Sequence, residues 1–194
     1  MCGYLVSNSL TCEETFMSAL AKISYRGPDH SGFRKSTGWL FGHVRLSLFD
    51  LTDVSNQPVK VTNAALDDIV FVFNGEIFNF KDFGDFTSDT LMLKSVLPSL
   101  IRDGKLNETE LKTTLNQWNG FFSLTIKVNG IVFFIRDRFG EKPLYIYKNN
   151  TIVTAGSEIK AIRALHDIAP SRADLHRLCA DTFDFQEADF CHGL

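Results

Sequence analysis

The sequence predicts an α+β fold, and three observations lead there. Apolar residues at helical spacing and apolar residues in strict alternation occupy separate stretches of the 194-residue chain. The alternating stretches come in pairs joined by short Asn-containing turns. No strand–helix–strand repeat runs along the chain, as a parallel doubly wound sheet would require.

Thr11-Cys12-Glu13-Glu14 has the form of a capping box, and Phe16, Met17, Leu20 and Ile23 follow on one stripe, which predicts a first helix ending near Ser24. Residues 69–73 are a short β-branched and aromatic run and read as a strand. After a cap at Thr87 or Ser88, the residues Met92, Leu93, Val96, Leu97 and Leu100 recur with helical period. Asn107 with Glu110 repeats the capping pattern before Leu111, Leu115 and Trp118. The period then switches to two at Phe122, Leu124, Ile126 and Val128. Asn129-Gly130 turns this strand into 131–135, because both residue types accept the positive φ of a type I′ hairpin. A second hairpin joins 144–147 to 151–155 at Asn149-Asn150, and 157–165 reads as a last helix. Beyond His166 no period is clear, so 166–194 is expected to be a linker or docking tail behind a single domain at 1–165.

Composition narrows the function. An apolar share of 44% with eighteen phenylalanines supplies a core for one domain. A net charge of -3 with dispersed Lys and Arg argues against nucleic acid as a partner. No apolar run approaches the roughly eighteen residues of a membrane span, and the first residues lack a signal-peptide pattern, so a cytoplasmic location is expected. Cys2, Cys12, Cys179 and Cys191 are unevenly spaced without metal-ligand histidines, so free thiols and no metal are expected.

Five segments combine glycine or a tight turn with polar groups able to act on a small substrate. They are Met1-Cys2-Gly3, Arg26-Gly27-Pro28-Asp29, Gly42-His43-Val44-Arg45-Leu46-Ser47, Asn74-Gly75-Glu76 after the 69–73 strand, and Ser88-Asp89. A sixth, residues 136–145, reads as structural. Each also has a plainer meaning: Cys2 as part of a buried first strand, Asn74-Gly75 as a turn, Asp89 as a first-turn helix charge, Arg45 as an ion-pair residue.

In order and spacing these segments resemble the class II glutamine amidotransferases, in particular the glutaminase domain of asparagine synthetases, over residues 1 to about 165. The resemblance implies the fold of the N-terminal nucleophile hydrolases, a four-layer αββα sandwich of two antiparallel sheets flanked by helices. It implies Cys2 as nucleophile once Met1 is removed, with the α-amine of the same residue as base. An α-amine, with a reference pKa of about 7.7–8.0, is suited to that task without a histidine. By resemblance the Asn74 amide and the Gly75 N–H form the oxyanion hole. Arg45 receives the glutamine carboxylate, Asp89 with Glu76 the ammonium, and Leu46, Leu48 and Phe49 line the pocket. Arg26 and Gly27 belong to the loop near the nucleophile, and His43 is read as a packed core residue.

Departures from the family pattern are Tyr4 for a small aliphatic residue, Phe78 for tyrosine, and a short 79–88 segment with no room for the helix usual there. The implied reaction is hydrolysis of L-glutamine to glutamate and ammonia, without a cofactor in this chain. The ammonia is expected to pass to a synthetase partner, where ATP and magnesium would be bound. A non-catalytic glutamine-binding or regulatory module, or another amide hydrolase of this fold, are the alternative readings.

Overall fold

A computed structural model describes residues 1–9, 11–48, 50–63 and 66–168. Two antiparallel sheets lie face to face with helices on both outer sides, the four-layer arrangement the resemblance implies. The first sheet has the order β10-β11-β1-β3-β2. Its strands are β1 (Gly3–Ser7), β2 (His30–Ser36), β3 (Trp39–Arg45), β10 (Tyr145–Asn149) and β11 (Ile152–Gly156). The second has the order β4-β5-β8-β9, from β4 (Val59–Asn63), β5 (Leu66–Ile77), β8 (Gly120–Val128) and β9 (Ile131–Arg136). A small hairpin of β6 (Ile101–Arg102) and β7 (Lys105–Leu106) stands apart. No described helix is long and apolar enough to cross a membrane.

Helix α1 (Glu13–Ala21) buries Phe16, Ala19 and Leu20 against the first sheet, beside α4 (Ile159–Arg163). Phe16 and Leu20 each contribute about 1.5–3 kcal/mol of burial. The close fit depends on β3 offering Gly42, where a Cβ would lie 2.8 Å from Leu20 and 2.9 Å from Phe16. On the other side, α2 (Asp89–Ser99) and α3 (Glu108–Gln117) cover the second sheet through Met92, Leu93, Leu97 and Leu111, packed on Phe71, Phe73, Phe122 and Leu124.

The layer between the sheets is thinner and partly polar. Tyr4, Val6 and Phe41 meet Val70 and Val72 there. The Tyr4 hydroxyl accepts from Thr125 Oγ1 at 3.3 Å, His43 Nε2 donates to the Phe73 carbonyl at 3.0 Å, and Lys127 Nζ donates to Ser36 Oγ at 2.8 Å. These bonds tie one sheet to the other where large apolar side chains are few.

Several elements differ from the sequence reading in their bounds. The cap of α1 is Cys12, whose sulfur accepts the Thr15 N–H, and the helix ends at Ala21, with a 3-10 turn at Ser24–Arg26 taking the remainder. The strand read at 69–73 is the middle of a twelve-residue strand. Of the two caps read for α2, Ser88 is the one the structure uses, and it accepts the Leu91 N–H. The second hairpin pairs Asn149 with Ile152, so its turn is Asn150-Thr151, one residue further on than read. The last helix occupies only five of the residues 157–165. The short 79–88 segment holds a single 3-10 turn, Phe80–Phe83. Most of the 166–194 tail, with Cys179 and Cys191, lies outside the described residues.

Candidate active site

Strand parity assembles the site. Side chains alternate across a sheet, so residues two apart share a face. On β5, Val70 and Val72 point into the inter-sheet layer, and Asn74 and Glu76 continue that row. On β3 the same face carries Phe41, His43 and Arg45; ahead of β1, Cys2 continues the row of Tyr4 and Val6. Each row is apolar in the middle of the sandwich and polar at one end. A cleft opens there, whose walls include Cys2, Arg45, Leu46, Gly75, Glu76 and Asp89. Leu48 stands at its rim, 59% exposed, and Phe49 is outside the described residues.

The Cys2 sulfur sits against the end of β3, accepting the Leu46 N–H at 3.4 Å and lying 3.6 Å from the Leu46 carbonyl. Burial pushes its thiol up, and the Leu46 backbone contact works against that. Met1 is exposed, and burial holds the terminal amine below its ordinary value. Arg26 lies behind Cys2 rather than in the cleft, with Nε donating to the Cys2 carbonyl at 2.9 Å. Gly27 lets the Arg26–Asp29 turn lie flat on β3, since a Cβ there would meet the backbone of Val44 and Arg45 at 2.3 Å.

Asn74 is fully buried, and among the described residues neither Oδ1 nor Nδ2 has a hydrogen-bond partner. An orphaned buried amide costs about 1–3 kcal/mol, so a group that persists in this state is a candidate for a ligand's partner. Gly75 is pressed on β8: a Cβ would lie 2.2 Å from the Phe121 carbonyl oxygen. Asp89, the first residue of α2, accepts the Thr90 N–H at 2.7 Å and the Ile77 N–H at 3.2 Å, so it joins the helix start to the end of β5. Burial pushes its carboxyl up to about 6. Glu76 is pushed up to about 7, by burial first and by the Asp89 charge second, with Lys142 opposing.

Arg45 is 6% exposed and directs three of its five N–H groups into the loop that follows it. Nη1 donates to the Thr52 carbonyl at 2.7 Å and to Asn56 Oδ1 at 2.8 Å, and Nη2 to the Asp50 carbonyl. Asp50 in turn accepts from Thr52 and from Ser55 Oγ, which pairs with Ser88 Oγ at 2.8 Å. His43 is a core residue, as read: burial lowers its pKa to about 3, and its Nε2–H goes to Phe73.

Sequence reading missed the floor of the cleft, made by Asp50, Ser55, Gln57 and Thr90. Gln57 Oε1 accepts the Phe73 N–H at 2.6 Å, one residue before Asn74. Only the Asp50-Leu51-Thr52 pattern of an Asx turn hinted at this loop. It also missed Lys142, within the 136–145 segment, whose ammonium lies 4.2 Å from the centre of the Phe121 ring. Phe121 is the register partner of Glu76, which brings a cation to the edge of the site. Among the described residues no cluster of His, Cys, Asp and Glu could hold a metal ion.

The model of the glutamine amidotransferase domain family matches residues 1–192. The glutamine-hydrolysing asparagine synthetase 3 of Bacillus subtilis is 32% identical over 158 residues, covering 75% of this chain and 24% of that protein. That of Gallus gallus is 29% identical over 154 residues, covering 75% and 26%. A relative in Methanocaldococcus jannaschii is 31% identical over 170 residues, covering 75% and 31%. The chain thus spans about a quarter to a third of the length of these curated relatives. Among solved structures, the glutamine phosphoribosylpyrophosphate amidotransferase of B. subtilis in complex with ADP and GMP superposes with a TM-score of 0.69 at 16% identity, over 85% of this chain and 43% of that one. The fold is therefore that of an N-terminal nucleophile hydrolase.

Proposed function

Because the chain belongs to the glutamine amidotransferase domain family and is related to the glutaminase domains of asparagine synthetases, we propose that it hydrolyses L-glutamine through a thioester on Cys2. The observation that carries this reading is the buried amide of Asn74, without a partner among the described residues, on the same inter-sheet layer and at the same end as Cys2.

Removal of Met1 gives Cys2 a free α-amine, which takes the thiol proton. The thiolate attacks the side-chain carbonyl carbon of glutamine, and the oxyanion accepts from Asn74 Nδ2 and the Gly75 N–H. Collapse breaks the C–N bond, and ammonia leaves with the proton held by the amine. Water, deprotonated by the same amine, then attacks the thioester to give glutamate and restore the thiol. Arg45, with two N–H groups not directed into the described part of its loop, faces the substrate carboxylate; Asp89 and Glu76 face the ammonium. Arg26 and Gly27 hold the turn behind the nucleophile, and Leu46 and Leu48 line the entrance.

The ammonia passes to an ATP- and magnesium-dependent synthetase or transferase, because ammonia released to water is mostly protonated and no longer nucleophilic. The kinship with asparagine synthetases supports this destination, and co-purification with such a partner is the check on it.

The decisive experiment is glutamate release by the purified chain beside Cys2→Ala, with intact mass recording the loss of Met1. Turnover that vanishes in the variant is expected. Turnover that survives it excludes Cys2. Correctly processed protein that glutamine stabilises against heat without turnover is a binding module instead.

A further inference from the structure

Ser157-Glu158 joins β11 to α4 and has no part in the chemistry above. Glu158 stands at the N-cap of α4, where a side-chain oxygen ordinarily accepts a helix N–H, yet its side chain makes no capping bond. The carboxylate turns instead to the turn behind the nucleophile. Oε1 lies 2.9 Å from Arg26 Nη1 and accepts from the Tyr25 hydroxyl. Oε2 lies 3.1 Å from Lys160 Nζ, which donates to the Tyr25 hydroxyl at 2.8 Å. The Arg26 and Glu158 side chains are only 10% and 20% exposed, so this pair is better shielded than the exposed ion pairs Lys35–Glu13 and Arg102–Glu110. Partial burial works against ionisation of Glu158, but the bonds from Tyr25, Arg26 and Lys160 hold its carboxyl below the ordinary range.

The other end of Arg26 fixes the nucleophile's backbone, through Nε to the Cys2 carbonyl at 2.9 Å. Its aliphatic stem packs on β1 as well, since a Cβ at Gly3 would lie 3.0 Å from Arg26 Cδ. The neighbouring Ser157 clasps the same strand two residues on: its N–H donates to the Tyr4 carbonyl and its Oγ accepts the Tyr4 N–H, both at 3.0 Å. Residues 157 and 158 thus hold positions 2 and 4 of the chain, one through Arg26 and one directly.

We propose that Glu158 is a positioning residue for the nucleophile, orienting Arg26 so that its guanidinium fixes the carbonyl of Cys2 and with it the direction of the thiol and α-amine. The proposal rests on the reading of Cys2 as nucleophile only for its effect on turnover; the contact itself can be tested separately.

Cys2–Gly3 is the only Cys-Gly peptide in the sequence. Labelling cysteine carbonyls with 13C and glycine nitrogens with 15N therefore gives one carbonyl–amide NMR correlation, which reports on the Cys2 carbonyl. Glu158→Ala is expected to shift that carbonyl resonance in the same direction as Arg26→Ala, with the double variant matching Arg26→Ala. Glu158→Gln, which keeps the size and loses the charge, falls between. In glutamate release, Glu158→Ala is expected to lower kcat by about 10–100-fold, the value of a charged hydrogen bond, while KM changes little. The losses from Glu158→Ala and Arg26→Ala are expected not to add. An unmoved Cys2 resonance in a folded Glu158→Ala protein, or additive losses, overturns the proposal. If the resonance behaves as expected but the parent protein releases no glutamate, the positioning contact stands and the glutaminase reading fails.

Discussion

Asn74 is held in the layer between the sheets with both side-chain polar atoms unpaired among the described residues, a local sacrifice of stability. Near-isosteric Asn74→Leu should raise the melting temperature while cutting turnover by at least the 10²–10³-fold typical of a lost oxyanion donor, about 2.7–4 kcal/mol. Unchanged turnover in a folded variant would remove Asn74 from the mechanism. The carboxyl pair makes a separate prediction. Glu76 and Asp89 are raised from 4.5 and 3.8 to about 7 and about 6, so the native protein holds protons there that the unfolded chain has lost. These two groups therefore make the free protein less stable as pH rises from about 4 to 7. A substrate ammonium needs them ionised, so KM for glutamine should fall as pH rises through 6 to 7. Glu76→Gln should weaken binding at pH near 8 and leave an acid limb set by Asp89; a KM independent of pH would exclude both from the ammonium site.

The central element is the pairing of β5 with β8, in register from Ile69↔Val128 to Ile77↔Gly120. It carries Asn74, Gly75 and Glu76 on a strand bonded on its inner side, which gives catalytic groups a rigid support. Gly75 lies directly opposite Phe122, and no side chain fits between the strands there. Gly75→Ala should cost about 1–3 kcal/mol in urea unfolding through strand displacement, and turnover should fall by more than the stability loss explains. A variant with wild-type stability would show that the two strands can move apart. The twelve residues of this strand were only partly legible, because β-branched and aromatic residues stop at Phe73 and Asn-Gly signals a turn. Here β8 supplies partners for the backbone through the Asn-Gly pair, and the chain stays extended. Strand β3 was illegible for another reason: nearly all of it is buried on both faces, so no alternation marks it.

At the scale of the molecule, few of the described bonds cross between the sheets, and the one from His43 is made by a group that burial moves far from its ordinary titration range. His43 has its pKa lowered from 6.5 to about 3 by burial, so the native state excludes a proton that the unfolded chain binds. Its contribution to stability is fully present above pH 6.5 and is lost as pH falls towards 3, opposite in sign to the carboxyl pair. His43→Gln, which can keep a donor towards the Phe73 carbonyl, should flatten the acid side of the stability profile measured by thermal unfolding. A profile of unchanged steepness would mean that the acid transition arises elsewhere.

The sequence by itself determined the α+β class, the three longer helices, the Asn129-Gly130 hairpin with its positive φ values of 44° and 86°, and the family, because caps, periods and turns act over a few residues and the family's segments keep their order. It also named most of the cleft wall. Only the tertiary structure decided that Cys2, Arg45, Asn74 and Glu76 end their rows at the same edge of the sandwich, since that depends on how the β1–β3 and β5–β8 registers align across two sheets. It also decided that Asp50 and Ser55 support Arg45, and that Glu158 reaches Arg26 across 132 residues of chain. Such contacts leave no periodic trace in a sequence, because pairing between distant segments is set by the folded packing of the whole and not by any local preference.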